Sequence, residues 1–208
     1  MIYSEEFVWL HFPKCAGTKV ENLFRKYFSS NLELTQDVPN IKIDPSITWH
    51  DSIAKRESRD SSFRLGIRDV IVPVRKLPAW LESRYSYEIT RNPTLQHDPK
   101  LILEGKFLEA NGYKNNADFY MKYYLPSSLL ESNNVRFLRT EFFESDFKLI
   151  FSDYIDISVI PDNEYKIKEN TSDRVLLEEI RTKLYDGTVY KYCPYWSSIE
   201  KIAYAILN

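Results

Sequence analysis

Residues 7–28 constrain the fold more than any other stretch of this chain. A run of apolar and aromatic residues ends at Pro13, and a lysine with several small residues follows it. Apolar residues then recur at helical spacing: Val20, Leu23, Phe24, Tyr27 and Phe28. This pattern predicts a buried strand, a tight loop and an amphipathic helix. The N–H groups of such a loop and the positive helix end favour an anion, and Lys14 adds a full charge. The sequence therefore predicts a phosphate or sulfate site.

Composition narrows the class of protein. The chain has 208 residues, 43% of them hydrophobic, which is enough for one core and predicts a single domain over 1–208. A net charge of −2 disfavours a general nucleic-acid binder. Two cysteines make no disulfide framework, which fits a reducing compartment. The apolar run at 7–12 is too short to span a bilayer and no signal peptide is visible, so we expect a cytoplasmic protein.

Two further strands and several helices are predicted. The strands are 69–74 and 135–139, with Pro73 at the strand's exit or at an edge position that makes no ladder bond. Helices are predicted at about 51–59, from Pro78 onward, at 117–124 and at about 141–151. Thr171 or Ser172 can cap a further helix, which Asp186-Gly187 ends and which contains Val175, Leu176, Ile180 and Leu184. A last helix contains Trp196 and Ile206. Alternating strands and helices predict an α/β fold whose parallel sheet is covered on both faces. Ligands bind beyond the carboxyl ends of such strands, so we expect the Lys14 loop and Arg75 to meet there.

The loop does not follow the pattern of nucleoside-triphosphate sites. That pattern is Gly-x-x-x-x-Gly-Lys-Ser/Thr, in which the hydroxyl holds Mg²⁺. Here Phe12 stands five residues before Gly17, and Thr18-Lys19 follows the glycine, so the hydroxyl is out of place. A nucleotide-dependent kinase of the P-loop type is therefore the alternative rather than the main hypothesis. No Cys and His spacing typical of a metal site is present, and we predict no metal.

Residues 11–18, His-Phe-Pro-Lys-Cys-Ala-Gly-Thr, resemble the 5′-phosphosulfate loop of sulfotransferases, especially the carbohydrate branch and its bacterial relatives. A second segment is similar to the family's 3′-phosphate site. Arg75 ends a predicted strand, Pro78 follows, and Ser83 lies eight residues beyond the arginine. The segment departs from the family pattern because its proline is shifted by one and Trp80 replaces a common second arginine. Residues 135–147 resemble the family's later strand and helix more loosely.

The resemblance implies a three-layer α/β/α, P-loop NTPase-like sulfotransferase fold. It also implies 3′-phosphoadenosine 5′-phosphosulfate as donor, with transfer to a hydroxyl of a small-molecule or oligosaccharide acceptor, most of all a carbohydrate. The residues that would hold the donor are Lys14, Cys15, Ala16, Gly17, Thr18, Lys19, Arg75 and Ser83. Lys14 would also neutralise charge on the bridging oxygen as the sulfuryl group leaves, so no metal is required.

An acceptor hydroxyl needs a general base, and histidine suits neutral pH. Of the three histidines, His50 lies between the two anion segments and is the predicted base. We expect His11 to be structural and His97 to be solvated or at best to contact substrate. Glu57 or Glu88 is the alternative base.

Two other hypotheses come from the same residues. Cys15 at a helix N-terminus would have a lowered pKa, but no recognisable histidine and acid accompany it, so a catalytic thiol is disfavoured. The altered Lys76-Leu77-Pro78 segment leaves open a non-catalytic relative that binds nucleotide without turnover.

Overall fold

The computed structural model describes residues 1–37, 50–109, 112–132, 134–167 and 176–205. The chain divides into two compact units: unit 1 comprises 1–74 and 124–169, and unit 2 comprises 75–123 and 170–208. A single domain over the whole chain stays a prediction.

The described strands and helices alternate through much of the chain. The strands are β1 (Ile2–Tyr3), β2 (Phe7–Trp9), β3 (Thr35–Gln36), β4 (Asp69–Val74), β5 (Lys106–Glu109), β6 (Gly112–Asn116) and β7 (Val135–Arg139). The α-helices are α1 (Gly17–Tyr27), α2 (Ile53–Arg59), α3 (Leu77–Arg91), α4 (Ala117–Tyr124), α5 (Ser127–Ser132), α6 (Phe143–Phe151), α7 (Glu178–Tyr185) and α8 (Pro194–Ala205). The α/β class is thus confirmed at the level of a mixed α/β fold.

Unit 1 is built on a five-stranded mixed sheet in the order β3-β1-β2-β4-β7. The strands β2, β4 and β7 are parallel, as predicted, whereas β1 is antiparallel to both β2 and β3. The expectation of a purely parallel sheet is therefore wrong at this edge. The reason is the tight turn after β1, where the Ser4 N–H donates to the Phe7 carbonyl at 3.0 Å, since so short a connection joins only antiparallel strands.

Pro73 explains why β2 ends earlier than the apolar run suggests. In the β2–β4 ladder the N–H of Asp69 donates to the Glu6 carbonyl. Along a parallel strand every second N–H faces the same neighbour, so an N–H at position 73 would donate to the Leu10 carbonyl. Proline has no N–H to donate. The Leu10 carbonyl instead accepts from the Phe12 N–H at 3.1 Å, which turns the chain out of the ladder. The prediction that Pro73 lies at a strand exit or on an edge is wrong, because Pro73 lies inside β4, which is flanked by β2 and β7.

Aromatic side chains join α1 and α6 to one face of this sheet. Phe24 of α1 and Phe151 of α6 have ring centroids 5.1 Å apart, and Phe151 lies 5.7 Å from Phe7 of β2. On β4, Val70 and Ile71 are both fully buried although successive residues point to opposite faces. Residues on both faces of β4 are therefore buried.

Unit 2 packs around tryptophan rather than a large sheet. The Trp80 ring of α3 lies 4.7 Å from Trp196 of α8 and 5.4 Å from Phe107 of β5. The hairpin β5–β6 has no counterpart in the sequence-based prediction. Pro78 lies in the first turn of α3, as predicted.

The other helices follow the prediction closely, with one difference near the C-terminal end. The region 51–59 is helical as α2, and 117–124 and 141–151 match α4 and α6 with its preceding 3₁₀ turn. The helix α7 begins at Glu178, so Leu176 precedes it and is not inside it as predicted. Thr171, Ser172, Val175 and Ile206, which the prediction also used, lie outside the described residues. None of the helices that the structure describes has the length and apolar character to cross a bilayer.

Candidate functional site

The loop between β2 and α1 has an unusual backbone. Lys14 and Ala16 both adopt the left-handed conformation, with φ of 64° and 60°. Each such residue costs roughly 1–2 kcal/mol when it is not glycine. Left-handed residues spaced in this way turn successive N–H groups into one concave surface, the arrangement called a nest, which binds anions. The predicted anion loop therefore has a backbone suited to an anion.

The start of α1 strengthens this electrostatic character. The Ala16 carbonyl accepts from the N–H groups of Lys19 at 3.0 Å and Val20 at 3.2 Å, which begins the helix. No side chain among the described residues caps this N-terminus, and the first turn carries no acidic residue. The positive end of the helix dipole is therefore not offset by a carboxylate in that turn.

The side chains of the loop differ in accessibility. Lys14 is half-buried and Thr18 is exposed, so both can reach a ligand at the surface. Cys15 is fully buried and its backbone N–H donates to the Phe12 carbonyl at 3.3 Å, so a contact of Cys15 with the donor stays a prediction. This burial also agrees with the view that the Cys15 thiol is not a nucleophile.

Lys19, which the prediction placed at the donor, makes contacts inside unit 1. Its ammonium group donates to the Tyr165 carbonyl and lies 4.5 Å from the centroid of the Phe143 ring. Its backbone N–H is used by the Ala16 carbonyl. A role of Lys19 in holding the loop and helix together is therefore visible in the structure, and a role toward the donor stays a prediction.

His11 stands under the loop and is structural, as expected. Its Nδ1 lies 2.6 Å from Oε1 of Glu21, and both side chains are nearly inaccessible. The ring also occupies the space beside Gly17, where an added Cβ would come within 2.0 Å of Nε2. Burial lowers the pKa of His11, and the hydrogen bond to Glu21 opposes that effect. The ring thus links β2 to α1 directly beneath the predicted anion site.

His50 lies against the same residue. Its Nδ1 is 3.1 Å from the His11 carbonyl oxygen, and the two imidazole rings are 4.4 Å apart in an edge-to-face arrangement. The Tyr124 hydroxyl donates to the His50 carbonyl at 2.7 Å. The structure therefore brings the predicted base next to the residue that leads into the anion loop.

Sequence reasoning missed Glu21 and Tyr124. One signal was available for Glu21, because it is the single acidic residue in α1 and lies next to the apolar stripe of that helix. A carboxylate at such a position needs a buried partner. No comparable signal marks Tyr124, which reaches His50 from 74 residues away.

The two alternative bases are occupied by structural contacts. Glu57 Oε1 accepts from the Leu65 N–H at 2.9 Å and so fixes the loop after α2. Glu88 is buried and pairs with Arg84 at 2.8 Å along α3. Both contacts favour His50 over these carboxylates as the base.

The second predicted anion segment belongs to unit 2. Arg75 follows Val74, the last residue of β4, and is half-buried. Its carbonyl accepts from the Trp196 indole N–H at 3.2 Å. Two residues later the Leu77 N–H donates to Glu200 Oε1, which places a carboxylate at the start of α3. Ser83 is half-buried in α3.

Tyr185 of α7 lies within electrostatic range of Arg75. Burial, together with a 2.6 Å hydrogen bond from the phenol to Glu82, raises the pKa of Tyr185 to about 12. The positive charges of Arg75 and Arg181 act in the opposite direction. No role was predicted for this tyrosine, because nothing in the sequence links α7 to the Arg75 segment.

His97 is half-buried rather than fully solvated, and the alternative that it contacts substrate stays a prediction. Its Nδ1 lies 2.8 Å from the Leu95 carbonyl, and its Nε2 lies 2.7 Å from the Tyr85 hydroxyl. The flanking prolines suggested an open loop, but the ring instead anchors that loop to α3.

Lys14 and His50 belong to unit 1, and Arg75 and Ser83 belong to unit 2. The expected meeting of Lys14 and Arg75 at one sheet edge stays a prediction. Comparison of the chain with protein-family models, with curated proteins and with solved structures gave no significant match.

Proposed function

We propose that this protein is a sulfotransferase. In this proposal it transfers a sulfuryl group from 3′-phosphoadenosine 5′-phosphosulfate to an acceptor hydroxyl, expected on a carbohydrate, within a three-layer sulfotransferase-type fold. The observation that carries the proposal is the loop before α1, with left-handed backbone at Lys14 and Ala16 and no acidic residue in the first turn of the helix. Strained backbone of this kind persists where the surrounding structure holds it, and it concentrates at functional sites.

The residues of the loop fit the phosphosulfate end of such a donor. The N–H groups of Ala16, Gly17 and Thr18 precede or begin α1, where the helix dipole favours negative charge. Lys14 supplies a full positive charge in the same loop. The donor contributes an activated sulfuryl group, and Lys14 would stabilise the charge that develops on the bridging oxygen as the S–O bond breaks.

Arg75 and Ser83 fit a second anionic group, the 3′-phosphate. Arg75 presents a planar guanidinium with paired donors that match phosphate oxygens. The start of α3 is already held by the Glu200 carboxylate, so recognition of an anion here would depend on side chains rather than on the helix end. Arg75 directly follows Val74, the last residue of β4.

His50 would accept the proton of the acceptor hydroxyl as the new S–O bond forms. Its location supports this role, because His50 lies beside His11, the residue that leads into the anion loop. The imidazolium of His50 holds the proton, and the bridging oxygen stays with the released 3′,5′-adenosine bisphosphate. The transfer is therefore balanced without another reactant.

Calorimetric titration with two ligands tests the proposal. Wild-type protein should bind 3′,5′-adenosine bisphosphate more tightly than adenosine 5′-monophosphate, because only the former has the 3′-phosphate. Arg75→Ala should weaken the bisphosphate about 10- to 100-fold, as loss of a charged hydrogen bond implies, and leave the monophosphate unchanged. Lys14→Ala should weaken both ligands. Lys55→Ala and Arg91→Ala, at exposed positions outside the proposed site, are the matched controls.

Absence of bisphosphate binding, or binding that ignores Lys14→Ala and Arg75→Ala, would exclude the proposal. Binding of adenosine triphosphate that requires Mg²⁺ would favour the P-loop kinase instead. Binding without transfer to any acceptor in a carbohydrate screen, and without an effect of His50→Asn, would favour a non-catalytic relative.

A further inference from the structure

We infer that His11 and Glu21 are positioning residues that hold His50 in the Nδ1–H tautomer and leave Nε2 as its basic nitrogen. The inference rests on the proposed role of His50 as base. It names which nitrogen would accept the proton and which residues determine that choice.

The tautomer of His50 follows from its contact with the backbone. A carbonyl oxygen only accepts hydrogen bonds, so Nδ1 of His50 must carry the proton that it shares with the His11 carbonyl at 3.1 Å. In a neutral imidazole the other nitrogen then has the lone pair. A histidine in solution prefers the opposite tautomer, so the protein must supply the energy for this choice.

Two contacts of the His11 side chain restrain the residue that provides this carbonyl. Nδ1 of His11 donates to Glu21 at 2.6 Å, a short, charge-assisted bond between two buried groups. The ring is also confined by Gly17, whose missing Cβ leaves just enough room for it. His11 therefore has little freedom to rotate, and the acceptor that it offers to His50 stays in place.

The backbone of His50 is held from the other side. The Tyr124 hydroxyl donates to the His50 carbonyl at 2.7 Å, and the Tyr124 ring packs 4.8 Å from that of Phe12. The next residue, Asp51, is buried and accepts from Arg59 at 2.8 Å. Partners of this kind orient a reactive imidazole in the way that outer ligands orient a metal-binding histidine.

Nitrogen-15 NMR of the uniformly labelled wild-type protein tests the inference without a substrate. Long-range correlations from the ring protons distinguish Nδ1–H from Nε2–H, and with three histidines the spectrum is tractable. Spectra of His50→Asn and His97→Asn assign the signals. We expect His11 and His50 to show the Nδ1–H form at pH 7.5, with Nε2 of His50 unprotonated. An Nε2–H tautomer of His50 would overturn the inference.

Variants of Glu21 separate positioning from mere packing. Glu21→Gln keeps an acceptor for Nδ1 of His11 and should preserve both tautomers, whereas Glu21→Ala should leave His11 and His50 as mixtures. Glu33→Ala, at an exposed position in the same unit, should change neither. If Glu21→Ala retains the wild-type tautomers in a folded protein, the inference is wrong.

The same protein samples allow the inference about the tautomer to be tested separately from the proposed function. Glu21→Ala should bind 3′,5′-adenosine bisphosphate within about twofold of wild type, because outer partners of this kind act mainly on turnover. A wild-type protein that shows the expected tautomers but binds no bisphosphate would remove the proposed function and leave the assignment of the His50 tautomer standing.

Discussion

The Lys14 loop of unit 1 and the Arg75 segment of unit 2 are constructed in opposite ways. The loop uses its own backbone: two residues are left-handed, and the N-cap residue of the helix that follows, Ala16, makes no side-chain cap. The Arg75 segment uses a side chain, and its following helix is capped by Glu200 of α8, 123 residues away from Leu77. Local packing therefore maintains the first segment, and a distant helix maintains the second. A substitution should act through backbone geometry in the loop and through loss of a remote partner in the segment.

The largest effect is expected from Gly17→Ala. The added Cβ would lie 2.0 Å from Nε2 of His11, and the ring has no room to retreat because Glu21 holds its other nitrogen. Overpacking of a buried site costs about 1–3 kcal/mol, and we expect the upper part of that range for the free energy of unfolding. Urea denaturation followed by tryptophan fluorescence measures it.

A double variant identifies the cause of that loss. Replacement of His11 by alanine removes the ring that the new methyl group meets, so His11→Ala with Gly17→Ala should be less destabilised than the sum of the two single variants. Additive losses would mean that the glycine is required for another reason and that the loop is not maintained by this contact.

A smaller effect is expected from Glu200→Ala in unit 2. The carboxylate accepts from the Leu77 N–H and also from the Tyr190 hydroxyl at 2.8 Å, so its removal leaves both donors without this acceptor. Loss of a helix cap costs about 1 kcal/mol, and the free energy of unfolding should fall by about that amount. Glu200→Gln should retain most of the stability, and Glu131→Ala, at an exposed helical position, is the control.

The functional readout makes the contrast between the two segments sharper. If α8 maintains the Arg75 segment, Glu200→Ala should weaken binding of 3′,5′-adenosine bisphosphate and leave adenosine 5′-monophosphate unchanged. Equal loss for both ligands would show that the two segments do not divide the donor as proposed.

The elements that the sequence predicted well are those with a long, uniform signal. The strand 69–74 matches β4 because a run of buried apolar residues fills most of it, and 135–139 matches β7, where Phe137 and Leu138 are the buried apolar pair. The two-residue strands β1 and β3 were missed because so few residues carry no periodicity. The hairpin β5–β6 was missed because Gly112–Asn116 is polar and has the composition of a loop. Tertiary pairing, rather than propensity, makes these segments strands.

The candidate site also contains one part that the sequence predicts and another part that it does not. The Lys14 loop could be predicted because every part of it lies within one continuous stretch of the chain. The partners of the site come from distant positions: Tyr124 at His50, Trp196 at Arg75 and Glu200 at Leu77. Such contacts depend on the folded topology, and a single sequence contains no local pattern that indicates them. The left-handed backbone at Ala16 was equally invisible, since alanine is a poor predictor of that conformation.

The smallest effect, and the one with an unusual sign, is expected from Ala16→Gly. Glycine adopts φ of 60° without the penalty that alanine has there, which should raise the free energy of unfolding by roughly 1–2 kcal/mol. The greater freedom of glycine in the unfolded chain should lower it by about 0.5–1 kcal/mol. The Ala16 methyl group also packs against the core of unit 1, which reduces the gain further. We expect the free energy of unfolding to rise by about 0.5 kcal/mol. The matched control is Ala54→Gly in α2, where the same substitution should lower it by about 0.5–1 kcal/mol. Urea denaturation measures both variants. A gain in stability for Ala16→Gly with a loss for Ala54→Gly would show that the loop stores backbone strain. A loss of stability at both positions would show that backbone strain does not distinguish the loop from the Arg75 segment.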